Sequence, residues 1–251
     1  MESVVLLFAS FGVGILASLL GIGGGVLLVP LLLLAGLVPD MASAAAHSLA
    51  GVLATSVSAS AVYAAKRRID IRTGSVLMLP VAAGAWGGAR LTSVVPTSVL
   101  AVAFGAFLIY PAVTLLLGWR AAARNTGTRS VRSWLAVLLL GVVTGVAIGL
   151  LGIGGGTLLV PALAIALRFD MVRAAATSLF AMGPAVAIAL ATHATHGHLR
   201  LALALPVVVG IAVGAQLGPR IAPRVPERRL RQVFGLVLLY AAANMIRKGL
   251  S

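Results

Sequence analysis

Apolar stretches of roughly 18 or more residues, each with few or no charges, recur along the whole chain. Each is long enough to cross the ~30 Å hydrocarbon core of a bilayer as a helix. The composition agrees, because 61% of the residues are hydrophobic, 10% are charged and the mean hydropathy is +1.12. Soluble domains are about half apolar and a quarter charged. The sequence therefore predicts an all-α polytopic membrane protein whose partner is the lipid bilayer.

The formal net charge of +14 raises the question of nucleic acid binding. The basic residues, however, stand in short clusters between apolar segments without interleaved aromatic residues. This pattern is typical of membrane topology, so no nucleic acid partner is expected. The chain has no cysteine, which excludes thiol and disulfide chemistry.

The chain contains two copies of one unit. Residues 21–30 read GIGGGVLLVP and residues 152–161 read GIGGGTLLVP, so nine of ten positions are identical at an offset of 131. The similarity continues, with AAAHSL at 44–49 matching AAATSL at 174–179. We assign residues 1–117 and 134–251 to the two membrane repeats. The basic stretch at 118–133 is the predicted cytoplasmic linker.

Each copy is predicted to contain one interrupted apolar stretch followed by three ordinary spans. The interrupted stretches cover residues 3–37 and 134–169 and contain the glycine motif. The predicted spans are residues 41–65, 74–93 and 97–117 in the first copy and 171–192, 201–219 and 232–246 in the second. A helix of 35 residues is about 52 Å long, which is less than two crossings of a ~30 Å core. The glycine motif is therefore expected inside the membrane.

The basic residues indicate how the copies are oriented, because Lys and Arg favour the cytoplasmic side of short loops. If each interrupted stretch returns to its starting side, a copy crosses three times and the second copy is inverted. That arrangement places 15 of the 19 basic residues inside. Parallel copies with four crossings each would place 11 inside. The charges favour two inverted-topology repeats.

The glycine motifs are candidate substrate-binding turns. Glycine permits a sharp turn that leaves backbone N–H groups free at the start of the next helix, and such groups attract anions. The following segments, 26–37 and 157–169, are about half a span, so their N-termini are expected to meet near the midplane. The alternative is that the glycines only allow close helix packing. The residues assigned to the site are Gly23, Gly24, Gly25, Gly154, Gly155 and Gly156.

Each motif stands some fifteen residues before an alanine-rich segment that ends in His47-Ser48 or Thr177-Ser178. This combination resembles the sulfite exporter TauE/SafE permease family, also called the toluene-sulfonate uptake permeases, over essentially the full chain. The resemblance implies a carrier of sulfite, sulfonates or related small sulfur-containing anions in the bacterial cytoplasmic membrane. Some members of that family export and others import.

Further polar residues extend the candidate site. His47 lies inside a predicted span, where it could relay a proton, bind an anion or make a structural hydrogen bond. Ser48, Thr177 and Ser178 could coordinate oxyanion oxygens or bond to their own helices. Arg90 and Gln216 are matched polar residues near span ends that could attract substrate, although Arg90 could also snorkel to the surface.

The leading functional hypothesis is a secondary transporter of small anions that works by alternating access and uses no cofactor. The alternative is a permease for another small solute or for a metal ion, to which the HATHGH sequence at 193–198 could contribute. An enzyme is not expected, since no positioned nucleophile and base are recognisable. A homodimer is compatible with the glycine-rich spans. Asp40 and Asp170 are predicted to cap helices.

Overall fold

The structure is a computed structural model that describes residues 2–20, 23–117, 131–221 and 227–250. Most of the predicted basic linker at 118–133 lies outside the described residues. Within the described ranges, every regular element is an α-helix. The helices are α1 (Glu2–Leu20), α2 (Gly25–Leu34), α3 (Met41–Ala65), α4 (Ile71–Leu91), α5 (Thr97–Leu116), α6 (Val131–Leu151), α7 (Gly156–Ala166), α8 (Met171–Thr195), α9 (Leu201–Ile221) and α10 (Glu227–Leu250).

Four helical segments of the described chain are long and apolar enough to cross a membrane, judged by length and composition. They are Met41–Ala65, Thr97–Thr114, Trp134–Leu151 and Val172–Thr195. Shorter apolar helices accompany them, including α2 and α7. The prediction of an all-α, multi-pass membrane protein is confirmed.

Both predicted interruptions occur at the glycine motifs. Helix α1 ends at Leu20 before α2 begins at Gly25, and α6 ends at Leu151 before α7 begins at Gly156. The two half-length helices end earlier than predicted. Helix α2 stops at Leu34 because Gly36 takes a left-handed φ of +69° and Leu37 N–H bonds back to Leu32 O at 3.0 Å.

Aspartate side chains cap the N-termini of three of the longer helices. Asp40 accepts a hydrogen bond from Ser43 N at 2.7 Å at the start of α3, and Asp170 accepts one from Arg173 N at 3.0 Å at the start of α8. Asp70 does the same for Thr73 N at the start of α4. The predicted capping roles of Asp40 and Asp170 are confirmed.

The strongest helix pairs join the two sequence copies. Helix α1 packs on α9, α4 packs on α6, and α5 packs on α10. The α1–α9 and α4–α6 pairs are counterparts, because α1 corresponds to α6 and α9 to α4 in the repeat. One hydrophobic core gathers side chains from α1, α2, α5, α9 and α10, and another gathers them from α3, α4, α6, α7 and α8. Each core therefore contains helices of both copies.

Glycines at these interfaces bring backbones into contact. A methyl group added at Gly84 of α4 would overlap the Val142 carbonyl oxygen of α6, and one at Gly145 would overlap the Val81 carbonyl oxygen of α4. In the α1–α9 pair, a methyl group at Gly214 would overlap the Phe11 carbonyl oxygen. Close packing through small residues is how membrane helices associate without a hydrophobic driving force between them.

The helix directions follow from these contacts. Along the α1–α9 pair, Gly210 lies against Leu7 and Gly214 against Phe11, so the two helices run in the same direction. The α4–α6 pair is also parallel, since Gly84 lies against Val142 and Gly88 against Val146.

The third pair runs the other way. Gly105 of α5 lies against Ala242 and Ile246 of α10, whereas Gly235 of α10 lies against Ala112 and Leu116 of α5. As the residue number rises along α5, it falls along α10. Helices α5 and α10 are therefore antiparallel, although they occupy the same place in the two sequence copies.

Two alanine substitutions on α4 test the role of close backbone packing. We expect Gly84→Ala to destabilise the protein by about 1–3 kcal/mol, because its methyl group would overlap Val142 O and lie 2.9 Å from Val146 N. Gly87 has nothing within 4 Å of the same position, so Gly87→Ala should be neutral or stabilising by about 0.5–1 kcal/mol. Thermal unfolding in detergent measures both variants, and equal melting temperatures would contradict the prediction.

Candidate functional site

The two glycine turns lie against each other in the middle of the fold. A methyl group at Gly23 would stand 3.1 Å from Gly154 Cα, and one at Gly25 would stand 2.7 Å from Gly154 N and overlap Gly152 O. All described residues of both turns are buried. The structure thus brings together the two sets of glycines that the repeat predicted to meet.

The turns have different backbone conformations. Gly24 at the N-cap of α2 has φ +83°, and Gly23 before it has φ +85°, both in the left-handed region that favours glycine. Gly155 at the N-cap of α7 has φ −62°, an ordinary helical value. The two copies share nine of ten motif residues, yet the backbone conformation before the half-length helix differs between them.

Each half-length helix begins with free backbone donors. In α2 the first intrahelical acceptor is Gly24 O, which bonds Leu27 N and Leu28 N. In α7 it is Gly155 O, which bonds Leu158 N and Leu159 N. Glycine N-caps supply no side-chain acceptor. The N–H groups of the first helical residues are therefore available to a ligand, and the helix dipole favours a negatively charged one.

Three hydroxyls, on α3, α7 and α8, differ in whether they have a hydrogen-bond partner. Ser48 Oγ donates to Gly152 O at 2.8 Å and so ties α3 to the second turn. Its matched residue Ser178 is fully buried, and Thr157 on the first turn of α7 is 7% exposed. Among the described residues, neither Ser178 Oγ nor Thr157 Oγ1 has a hydrogen-bond partner.

Thr157 was not among the site residues predicted from sequence. It occupies the single position at which the two ten-residue motifs differ, since the first copy has Val26 there. That difference was visible in the repeat, but it has a meaning only once the hydroxyl is seen to be buried without a partner.

His47 is buried and hydrogen-bonded at both ring nitrogens. Nδ1 lies 2.7 Å from Ser43 O, one turn earlier on α3, so Nδ1–H donates to that carbonyl. Nε2 lies 3.1 Å from Arg200 N and 3.2 Å from Arg200 O. A neutral ring accepts from the N–H of Arg200, and a protonated ring can donate to the carbonyl of the same residue. The backbone of Ser43 and Arg200 therefore offers hydrogen-bond partners to both the neutral and the protonated ring.

Thr177 makes the matching contact in the other half. Its Oγ1 accepts a hydrogen bond from Asp70 N at 3.0 Å. Asp70 precedes α4 as Arg200 precedes α9, and the offset between them equals the offset between His47 and Thr177. One copy therefore makes this contact with a titratable ring and the other with a hydroxyl, which does not titrate.

An ion pair accompanies the Thr177 contact. Arg173 Nη2 lies 2.6 Å from Asp70 Oδ2, and its guanidinium stands 4.8 Å above the Phe169 ring. Burial alone would raise the pKa of the Asp70 carboxyl, but hydrogen bonds from Thr73 and the charge of Arg173 together lower that pKa below its ordinary value. The ion pair fixes the start of α8 to the start of α4.

Two substitutions of Asp70 separate its cap from its ion pair. Asp70→Asn should cost about 0.5–1 kcal/mol at neutral pH, because Arg173 is half exposed, and Asp70→Ala should cost about 1 kcal/mol more through loss of the cap. A lowered carboxyl pKa stabilises the fold above the ordinary value, and this stabilisation is lost as pH falls through the folded value. The melting temperatures of wild type and Asp70→Asn should therefore converge below about pH 4. A difference that does not change with pH would contradict this account.

The other predicted polar residues lie at helix ends. Arg90 is exposed in the last turn of α4, with its guanidinium 4.2 Å above the Trp86 ring, and Gln216 is exposed on α9. His193 Nε2 lies 2.9 Å from Gly149 O, and its Nδ1 lies 3.3 Å from His198 Nδ1. In the described part of the chain, no group of three or more His, Cys, Asp or Glu residues could hold a metal ion.

The sequence matches a known protein family over residues 6–245, described as sulfite exporter TauE/SafE. The chain belongs to this family. Family membership indicates a membrane transporter, and the resemblance found in the paired glycine motifs is confirmed. No solved structure matches the chain.

Curated relatives of this TauE/SafE family member are described as probable membrane transporter proteins. The probable membrane transporter protein YunE of Bacillus subtilis is 26% identical over 271 residues, which cover 100% of this chain and 99% of the relative. A probable membrane transporter protein of Xylella fastidiosa (strain Temecula1) is 30% identical over 254 residues, with 98% and 95% covered. The probable membrane transporter protein MJ0441 of Methanocaldococcus jannaschii is 29% identical over 179 residues, which cover 69% of this chain and 66% of the relative.

Proposed function

We propose that this protein is a secondary transporter of small sulfur-containing anions, such as sulfite or organosulfonates. The observation that carries the proposal is the contact between the two glycine turns, which places the starts of α2 and α7 together in the buried centre. The family description adds sulfur-containing anions as the substrate class.

The charge distribution supports an anionic substrate. The chain has five acidic residues, Glu2, Asp40, Asp70, Asp170 and Glu227, and all of them stand at or beside helix N-termini. The centre of the fold therefore offers N–H and hydroxyl donors without a carboxylate that would repel an anion. Neutral donors bind an anion without the long-lived ion pair that a buried arginine would form, which suits release on the other side.

The helix directions support alternating access by two inverted repeats. Inversion requires corresponding helices α5 and α10 to run in opposite directions, whereas two parallel copies would require them to run in the same direction. They are antiparallel. The contacts of His47 with Arg200 and of Thr177 with Asp70 are also exchanged between the copies, as a two-fold relation requires.

We further propose that protons drive the transport through His47. The ring changes partner within Arg200 when it is protonated, from the N–H to the carbonyl at the start of α9. Protonation therefore changes how α3 is held to α9 while the matched Thr177 contact in the other half stays the same. A single titratable contact of this kind can bias the two halves differently.

Uptake of labelled sulfite and a small sulfonate into proteoliposomes tests the transport function. We expect wild-type flux, and a loss of roughly tenfold or more in Gly24→Ala, because the methyl group would strain a φ of +83° and crowd Ala17 Cβ at 3.3 Å, which would shift the turn that contacts Gly154. Gly36→Ala is the matched control, since Gly36 has φ +69° but nothing within 4 Å. It should carry wild-type flux.

The outcomes of this experiment separate two explanations. Equal flux in the two glycine variants, at equal amounts of folded protein, would remove the transport site from the turns and leave packing as the role of the motif. Absence of sulfite and sulfonate flux in wild-type protein would overturn the proposed substrate class.

His47→Gln tests proton coupling. Glutamine keeps an acceptor near Arg200 but does not titrate, so we expect exchange of anion to continue while accumulation driven by a pH gradient disappears. His196→Gln is the control, because His196 is exposed and bonds Thr192 O on its own helix. Accumulation of anion that still follows the pH gradient in His47→Gln would contradict the proposal of proton coupling.

A further inference from the structure

Two buried hydroxyls of the second sequence copy have no hydrogen-bond partner in the part of the chain that the structure describes. Within the described residues, four buried hydroxyl oxygens lack a hydrogen-bond partner, those of Ser10, Ser60, Thr157 and Ser178. Thr157 and Ser178 belong to the second copy: Thr157 stands on the first turn of α7, and Ser178 lies on α8, which packs against α7, while Ser10 lies in the α1–α9 interface against Gly210. Buried polar groups are almost always satisfied, so unpartnered hydroxyls at a candidate site indicate a ligand.

We propose that the substrate anion is bound asymmetrically, at the N-terminus of α7, by the hydroxyls of Thr157 and Ser178 and the first N–H groups of that helix. This proposal rests on the anion transport proposed above and assigns the binding to one copy of the repeat. The ligand class is an anion that carries two or more oxygens on one central atom, because two separate hydroxyl donors then each find an acceptor oxygen.

The position of Thr157 follows from the turn. Gly154 contacts Gly23 at the meeting of the two turns, and Thr157 follows it on the first turn of α7. Its Oγ1 makes no bond to the preceding carbonyls, although threonine in a helix commonly does so. The hydroxyl therefore remains a free donor beside the N–H groups at the helix start.

The position of Ser178 follows from α8 and from the repeat. Ser178 stands one helical turn before Met182, whose Cε lies 3.2 Å from a methyl group built at Gly23. In the first copy the matched Ser48 Oγ lies 3.0 Å from a methyl group built at Gly25, the first residue of α2. The corresponding place for Ser178 is at the first residue of α7, which packs against α8.

The first copy is unsuited to the same role. Its residue at the position of Thr157 is Val26, whose side chain has no hydrogen-bond donor. Its serine, Ser48, already donates to Gly152 O, and that carbonyl oxygen is in contact with Gly25 at the start of α2. The start of α2 therefore has no unpartnered side-chain hydroxyl of the kind that Thr157 and Ser178 provide in the second copy, within the described residues.

Matched substitutions of the two serines test the asymmetry. In detergent-solubilised full-length protein, sulfite and methanesulfonate affinities are measured by calorimetry, and melting temperatures are measured without ligand. We expect Ser178→Ala to weaken binding roughly tenfold or more, as the loss of a hydrogen bond to a charged group does, with little change in melting temperature. Ser48→Ala should lower the melting temperature and leave the affinity of the folded protein within roughly threefold.

Substitutions of Thr157 test the second donor. Thr157→Val installs the residue that the first copy has at this position, and we expect it to weaken binding roughly tenfold or more. Thr157→Ser keeps the hydroxyl and should bind within roughly threefold of wild type. Ser10→Ala is the control for removing a buried hydroxyl elsewhere, and its affinity should equal that of wild type.

Each result bears on a separate claim. Equal losses of affinity in Ser48→Ala and Ser178→Ala, or wild-type affinity in Thr157→Val, would overturn the asymmetric site while leaving anion transport intact. Wild-type protein that neither binds nor transports sulfite or methanesulfonate would overturn the proposed function itself. If Thr157→Val does not fold, Ser178→Ala against Ser48→Ala still decides the question.

Discussion

The rest of the structure depends on the packing of two helix breaks in the interior of a membrane protein. Each break frees backbone N–H and C=O groups that need a polar or protein environment. Hydrocarbon offers no water to bond free N–H and C=O groups, so a broken helix is tolerated only when protein or a polar cavity surrounds it. Here the two breaks pack against each other, with Gly23 against Gly154 and Gly25 against Gly152. Only glycine allows this approach. Helix α3 is fixed to the paired turns, since Ser48 Oγ donates to Gly152 O.

The two sequence copies are not two packing units. The α1–α9 and α4–α6 pairs cross between copies, and each hydrophobic core contains helices of both. Backbone contacts at glycine hold these pairs, as Gly84 and Gly145 show. If the protein works by the alternating access proposed above, these cross-copy pairs are the units that move. Helices α3 and α8 join the two copies directly, since Ser56 Oγ donates to Leu179 O at 2.7 Å.

The matched positions have diverged in chemistry while keeping their place. His47 and Thr177 make the same contact with the start of a helix, one with a titratable ring and one without. Ser48 donates to a carbonyl of the second glycine turn, whereas Ser178 has no hydrogen-bond partner among the described residues. In the asymmetric site proposed above, the first copy supplies a structural hydrogen bond and the second copy supplies the donors for the anion.

The sequence by itself determined the solvent, the repeat, the helix breaks and the caps. These features depend on hydropathy over a span or on bonds within four residues, such as Asp40 to Ser43, so local patterns reveal them. The tertiary structure decided which helices pair, which atoms of the two glycine turns touch, and which hydroxyls have partners. Ser48 bonds a carbonyl 104 residues away, and His47 bonds a residue 153 positions away. No local pattern encodes such distant contacts, because they depend on how all the helices pack together at once.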